Sequence, residues 1–406
     1  MLTIYNDRKL TLLYYFLYGA YRLFTTMKFP ILTLFLLSED ISIIQIGVGY
    51  SLMSLAVVLS DTPLGYLADK TNEKAIFIGG ILIEALSAYF FSQSSTVTLM
   101  YISFIFWGIG ISTFSGVLEG WYVNNSNRIG TTIKQSHVFS RVRSISNICT
   151  FFGILTSSIL TTMFSYELTL IIISVLLVIY SVFSSFILNN SLLEKEKNNH
   201  NISFKEYFSF IFNVNFIRVL LFFSILGFIY SGYAAIWMPV FESVLGSEIN
   251  HSLIINSLIY GSIYLLSGLA IIYFSKLLNV FVDSILKQVV VLRMLFASSF
   301  FLMAITNQNI FLFSISTLLM FIFGDLEYGP LSEIKNSFLN NNNRIFGLSV
   351  FSTCERVLAS LGGFIITALY SNFGTSVAFI LVSLLTLLSL LAVTPLIEKN
   401  NKMKVC

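Results

Sequence analysis

Charge is what this sequence has least of. Asp, Glu, Lys and Arg together make up 11% of its 406 residues, while hydrophobic residues make up 56%. Soluble domains carry about 25% charged residues, so this chain cannot cover a water-facing surface; hydrocarbon is the solvent that tolerates it. Cysteine and histidine are equally sparse. Cys149, Cys354 and Cys406 are scattered with no CxxC or CxxxH spacing, and His137, His200 and His251 lie far apart. Neither a disulfide framework nor a zinc or other metal cluster is suggested. No GxxxxGK[ST] run occurs, which argues against a fused ATP-driven pump. No paired-His or Ser/His constellation supports an enzyme, and neither a cofactor nor a nucleic-acid partner is expected. The first apolar run, about residues 10–37, is too long for a signal-peptide core and lacks a small-residue cleavage site.

What is present is a succession of long apolar runs. At ~20 apolar residues per crossing, the chain has room for about twelve. The runs predict helices near 10–37, 43–68, 75–93, 97–123, 137–163, 167–188, 216–241, 252–279, 286–306, 309–333, 345–370 and 374–395. One long polar stretch, 189–213, divides them into an N-terminal six-helix bundle (1–188) and a C-terminal one (214–406). Orientation follows from Lys and Arg, which favour cytoplasmic loops. Arg8, Lys9, Lys70, Lys74, Arg128, Lys134, Lys195, Lys197, Lys205, Lys335, Arg344, Lys399, Lys402 and Lys404 fall on one side. The opposite loops hold only acids, such as Glu39, Asp40, Glu167, Glu242 and Glu248. Both termini and the linker are therefore expected in the cytoplasm.

The halves echo each other at an offset of 212. Tyr18-Gly19-Ala20-Tyr21 matches Tyr230-Ser231-Gly232-Tyr233, and Val138-Phe139-Ser140 matches Val350-Phe351-Ser352. Matches in the same order at corresponding helices point to a duplicated six-helix unit, one way transporters are built.

Between the second and third helices the chain reads Gly65-Tyr66-Leu67-Ala68-Asp69-Lys70-Thr71-Asn72-Glu73-Lys74. This resembles the loop signature of the major facilitator superfamily, G-x-L-a-D-r-x-G-r-[KR]. Asn72 stands where the second glycine belongs and Glu73 where a basic residue does; Asn tolerates positive φ better than most residues, so the turn can survive. The resemblance implies an all-α membrane fold of twelve transmembrane helices in two pseudo-symmetric bundles. It also implies that Gly65, Asp69, Lys70 and Lys74 latch the bundles on the cytoplasmic side. In character it is closest to bacterial drug-efflux members.

Ionisable residues at bilayer depth are costly and usually face a cavity or a partner. Glu119 is expected to pair with Arg141 or Arg143, and Glu333 with Lys335 or Arg344, as gating ion pairs. Asp325 and Glu327, followed by the potential helix break Gly329-Pro330, are the leading proton carriers; Glu84 is a further candidate that could instead pair locally. Arg22 and Arg356 either bind an anionic substrate group or neutralise those acids. Tyr18, Tyr21, Tyr230, Tyr233 and Trp237 are expected as cavity walls, by helical spacing and depth. Helix 1 carries Arg22 where many exporters of organic cations carry an acid, which weakens a cation-export reading.

Together these features predict a secondary active transporter working by alternating access in a bacterial cell membrane, acting as a monomer on a small-molecule substrate. Proton-coupled efflux of an amphipathic solute is the favoured form; uptake of a small organic anion, or a non-transporting scaffold or sensor, are the alternatives.

Overall fold

The computed structural model describes residues 7–70, 73–129, 135–188, 214–245, 252–282, 284–337 and 344–392. The expected linker at 189–213 lies outside them. Among the described residues the chain is helical throughout: α1 (Asp7–Thr26), α2 (Leu32–Ser38), α3 (Ile43–Lys70), α4 (Glu73–Ser92), α5 (Val97–Ile129), α6 (Gln135–Met163), α7 (Tyr166–Ile187), α8 (Val214–Leu245), α9 (Ser252–Phe281), α10 (Ile285–Thr306), α11 (Ile310–Ser337) and α12 (Arg344–Ser389). Ten of these helices contain a stretch long and apolar enough to cross a bilayer. The count becomes twelve crossings at the two ends of the list. α12 holds two crossings, because Gly374 turns the chain with φ +82° in the middle of it. α1 and α2 form the first crossing, which a break divides.

That break corrects the expectation of one continuous helix over 10–37. Residues 27–31 form a turn around Pro30. Proline has no N–H and its ring crowds the carbonyl four residues back. The Thr26 carbonyl accepts instead from Phe29 N at 3.0 Å. The helix restarts as Leu32 N bonds the Lys28 carbonyl, also at 3.0 Å. The reverse case is α11, which runs through Gly329-Pro330 to Ser337, as the expected span 309–333 has it, so the potential break there does not form. Prolines are tolerated inside spanning helices where neighbours re-satisfy the freed carbonyls.

At the end of the molecule reached by α2, the turn into α3 is built from local chemistry. Asp40 takes φ +60°, a region that Asp tolerates. Ser42 and Gln45 cap α3 reciprocally, Ser42 N to Gln45 Oε1 at 3.0 Å and Gln45 N to Ser42 Oγ at 3.3 Å. We call this the far end, and the end of Asp7 the near end.

The outer surface is apolar: Phe186 is 80% and Leu59 75% exposed. An apolar surface carried by helices long enough to cross a bilayer suits contact with lipid. The two bundles meet along two long seams, α3 on α12 and α6 on α9, and α2 closes on α8 at the far end. The seams rest on small residues. A Cβ at Gly47 would strike Thr367 Oγ1 and lie 2.6 Å from the Gly363 carbonyl oxygen; on the other seam Ser158 Oγ donates to Ser257 Oγ at 2.5 Å. Close backbone approach is how helices associate in lipid. Gly47→Val is therefore expected to force the far end of α3 off α12, costing about 1–3 kcal/mol by overpacking. Thermal unfolding in detergent checks it: an unchanged melting temperature would mean the seam is looser than described.

Candidate functional site

Among the charges that the apolar runs carry into the molecule, three ion-paired groups stand out, and their burial separates them. In the first bundle, Glu84 of α4 is wholly buried. Tyr21 of α1 donates a short hydrogen bond to its Oε1. Lys28, from the turn that breaks the first crossing, places Nζ 3.7 Å from Oε2, with both side chains fully buried. The same ammonium stands 4.2 Å from the centre of the Trp107 ring, a cation–π contact. The break in the helix is what brings a lysine to this acid.

Sequence reading passed over Lys28 altogether, treating 10–37 as one continuous helix with Arg22 as its buried charge. A lysine two residues before a proline inside such a run was the available signal. Removing one member of a buried pair costs about 3–5 kcal/mol, because the other charge is left without compensation. Lys28→Met is expected to lower the melting temperature markedly, and Lys28→Met with Glu84→Leu to recover most of it. A single variant melting like the wild type would show that the pair does not hold the bundle together.

The second group lies inside the other bundle. Glu327 of α11 is fully buried against Arg293 of α10, with Nε at 2.8 and 3.0 Å from its two oxygens and Nη2 at 2.7 Å from Oε1. Arg293 Nη1 also donates to the Phe222 carbonyl of α8 at 3.1 Å, and its guanidinium covers the Phe222 ring at 4.0 Å. Every contact is within one bundle and nothing reaches water.

The third group joins the bundles. Asp325, two residues from Glu327, points the other way. Its Oδ1 accepts from Arg143 Nη2 at 2.7 Å and Nε at 3.2 Å. Its Oδ2 accepts from Asn147 Nδ2 at 3.0 Å and Ser267 Oγ at 2.5 Å. Arg143 and Asn147 belong to α6 of the first bundle, Ser267 to α9 of the second. Beside them Ser144 Oγ donates to the Gly268 carbonyl at 3.1 Å. The Arg143 side chain is 44% exposed, whereas Asp325's is 4%. One aspartate thus holds both bundles through a partner that water can reach. Asn147 and Ser267 had no sequence signal beyond being polar residues in apolar runs.

These placements correct several expectations. Arg143 pairs with Asp325, because α6 meets the second bundle along this seam; the expected pairings of Glu119 fall outside the described side chains. Arg22 and Arg356 do not neutralise the acids of α11, which Arg143 and Arg293 already satisfy. Arg356 instead lies within electrostatic reach of Asp61 and Glu355, where Ser352 Oγ also approaches Asp61 at 3.4 Å across the α3–α12 seam. Arg141 lies beside Tyr15. Lys335 is buried with Nζ 3.9 Å from the Phe223 ring. The side chains of Gly65, Asp69, Lys70, Glu119, Glu333 and Arg344 lie outside the described residues; Lys74 is half-buried at the start of α4.

The expected aromatic walls divide in the same way. Tyr21, Tyr233 and Trp237 are 4%, 4% and 3% exposed, packed within their bundles rather than facing open space. Tyr21 stacks on Phe114 at 3.5 Å and Trp237 on Tyr260 at 3.6 Å between ring centres. Tyr18 and Tyr230 remain half-buried.

Two helical bundles with lipid-facing surfaces, meeting along seams that carry charge, define a polytopic membrane transporter. The Major Facilitator Superfamily sequence model matches residues 14–331, and the chain belongs to that family. It is a carrier and not an enzyme. It is 25% identical over 388 residues, 93% of each chain, to the uncharacterized MFS-type transporter YxaM of Bacillus subtilis strain 168. Among solved structures, the nucleoside transporter NupG superposes with a TM-score of 0.74 at 15% identity, over 96% of this chain and 99% of that one. The human organic anion transporter MFSD10 superposes at 0.65 and 13% identity, over 96% and 100%. A bacterial homolog of the human lysosomal transporter Spinster, inward-facing and unoccupied, gives 0.70 at 12%, over 95% and 94%. At those identities the likeness is one of fold.

Proposed function

We propose that this carrier is a proton-coupled secondary transporter of a small solute, with Asp325 as the group that takes and releases the proton. The supporting observation is the Asp325 network: one carboxylate bonded by α6 of one bundle and α9 of the other. As a carboxylate it accepts all four bonds. Protonated, it loses its charge for Arg143 and turns one oxygen into a donor, so the bundles lose an ionic contact between α6 and α11. Proton binding and rocking of the bundles are thereby the same event.

The geometry of Glu327 supports a structural part for it instead. Held by three contacts under 3.1 Å from a guanidinium with no exposure, it belongs to the bundle's frame. The Lys and Arg distribution supports cytoplasmic termini, and a bacterial cell membrane and a monomeric carrier belong to the same proposal. Export of an amphipathic solute by antiport enters through the loop Gly65 to Lys74 and its resemblance to efflux members; the experiment reads direction directly.

Proteoliposomes loaded with a pH-sensitive dye and challenged with a broad compound panel provide the test. Internal acidification on adding a compound means symport, and alkalinisation means antiport. No response above protein-free liposomes for any compound would overturn proton coupling.

A further inference from the structure

Two cations share one carboxylate in the first bundle. Glu84 has both Lys28 and Arg22 within electrostatic reach, but its oxygens are committed to Tyr21 and Lys28. Among the described residues Arg22 forms no ion pair. Its one hydrogen bond runs from Nη2 to Thr150 Oγ1 at 3.4 Å, and its buried Nε has no acceptor. A guanidinium carries five donors and never gives up its charge in a protein. At bilayer depth that is an expensive vacancy, the kind that marks a substrate pathway.

The position agrees. Arg22 is half-buried on α1 against α6. Tyr264, half-buried on α9 of the opposite bundle, lies within electrostatic reach of Arg22, Arg143 and Asp325 together. Arg22 therefore belongs to the same central space as the Asp325 network.

We infer that Arg22 is the anchor for an anionic group on the transported solute, a small organic monoanion such as a carboxylate, which moves together with the proton on Asp325. This rests on the reading of Asp325 as proton carrier and names the substrate class of that site. Charge balance selects the stoichiometry. The empty centre holds Asp325 as a carboxylate; the loaded centre holds it neutral and carries one anion. The net charge is equal in both, so neither passage through the low-dielectric interior moves extra charge. Exchange of the anion against a proton would instead leave the two crossing forms two charges apart. The inference thus favours symport over the antiport implied by the loop.

The test is thermal unfolding of the purified full-length protein with matched probes: acetate against acetamide, benzoate against benzamide, and inorganic phosphate. A ligand that binds only the folded protein raises its melting temperature. At least one carboxylate is expected to raise it by about 2 °C or more where its amide does not. Arg22→Gln should abolish the difference and Arg22→Lys retain part of it. Asp325→Asn should keep it, since binding at Arg22 needs no titratable group there, so loss of proton coupling and loss of anion binding are read separately. No carboxylate outperforming its amide in the wild type, or an undiminished difference in Arg22→Gln, would overturn the inference.

Discussion

Asp325→Asn is expected to abolish pH-driven transport while leaving the protein folded. An amide carries no titratable proton, so a gradient-driven flux should fall at least about tenfold, to the level of facilitated exchange. Exchange of the same compound across proteoliposomes without a gradient should stay within a few-fold of wild type, because the solute contacts are untouched. The fold survives because of where the partner sits. Arg143 is 44% exposed and can be hydrated once its carboxylate is gone; ion pairs with that access to water contribute about 0–1 kcal/mol. Asn147 and Ser267 can still hydrogen bond an amide oxygen. Undiminished gradient-driven flux in this variant would move the proton site elsewhere.

Arg293→Met is expected to do the opposite. Its side chain is wholly buried and ties α10 to Glu327 of α11, to the Phe222 carbonyl of α8 and, at 3.4 Å, to Ser389 Oγ at the end of α12. Removing it leaves a carboxylate in an apolar interior with nothing to compensate it, at a cost of about 3–5 kcal/mol. That is a large part of a stability of about 5–15 kcal/mol, so the single variant should express poorly and melt much earlier. Arg293→Met with Glu327→Leu removes both charges and should recover most of the loss. A single variant with wild-type stability and defective coupling would place this pair in the transport cycle instead. The two acids of α11 are two residues apart and meet the same type of partner. Two things separate them: the Asp325 contact crosses between the bundles to a half-exposed arginine, whereas the Glu327 contact stays inside one bundle and is wholly buried.

Much of the fold was legible in the amino-acid sequence, because hydrophobic run length reports bilayer thickness directly. Eleven of the expected crossings correspond to helices or half-helices; the first is the exception, where Lys28 and Pro30 break what looked like a single run. The site was legible only by residue type. Arg143, Asp325 and Glu327 stood out as charges in or beside apolar segments, but which base meets which acid depends on helix rotation and on which seam each helix joins, and neither leaves a trace in spacing. Arg293 lay in plain view within 286–306 and was passed over, as Lys28 was, because a single base does not interrupt a long apolar run. The aromatic residues misled for a related reason: Tyr21 and Tyr233 have helical spacing and depth, but stacking partners such as Phe114 come from other helices and bury them.

The central claim is that one aspartate links protonation to the meeting of the two bundles. It is tested most directly by distance measurement between spin labels at Leu59 on α3 and Tyr273 on α9, both exposed positions, with Cys149, Cys354 and Cys406 replaced by Ser. Wild-type protein should show the distance distribution of bundles held by the Asp325 contact to α6, and Asp325→Asn, which mimics the protonated carboxyl, should shift it. An Asp325→Asn variant that keeps the wild-type distribution would contradict the account.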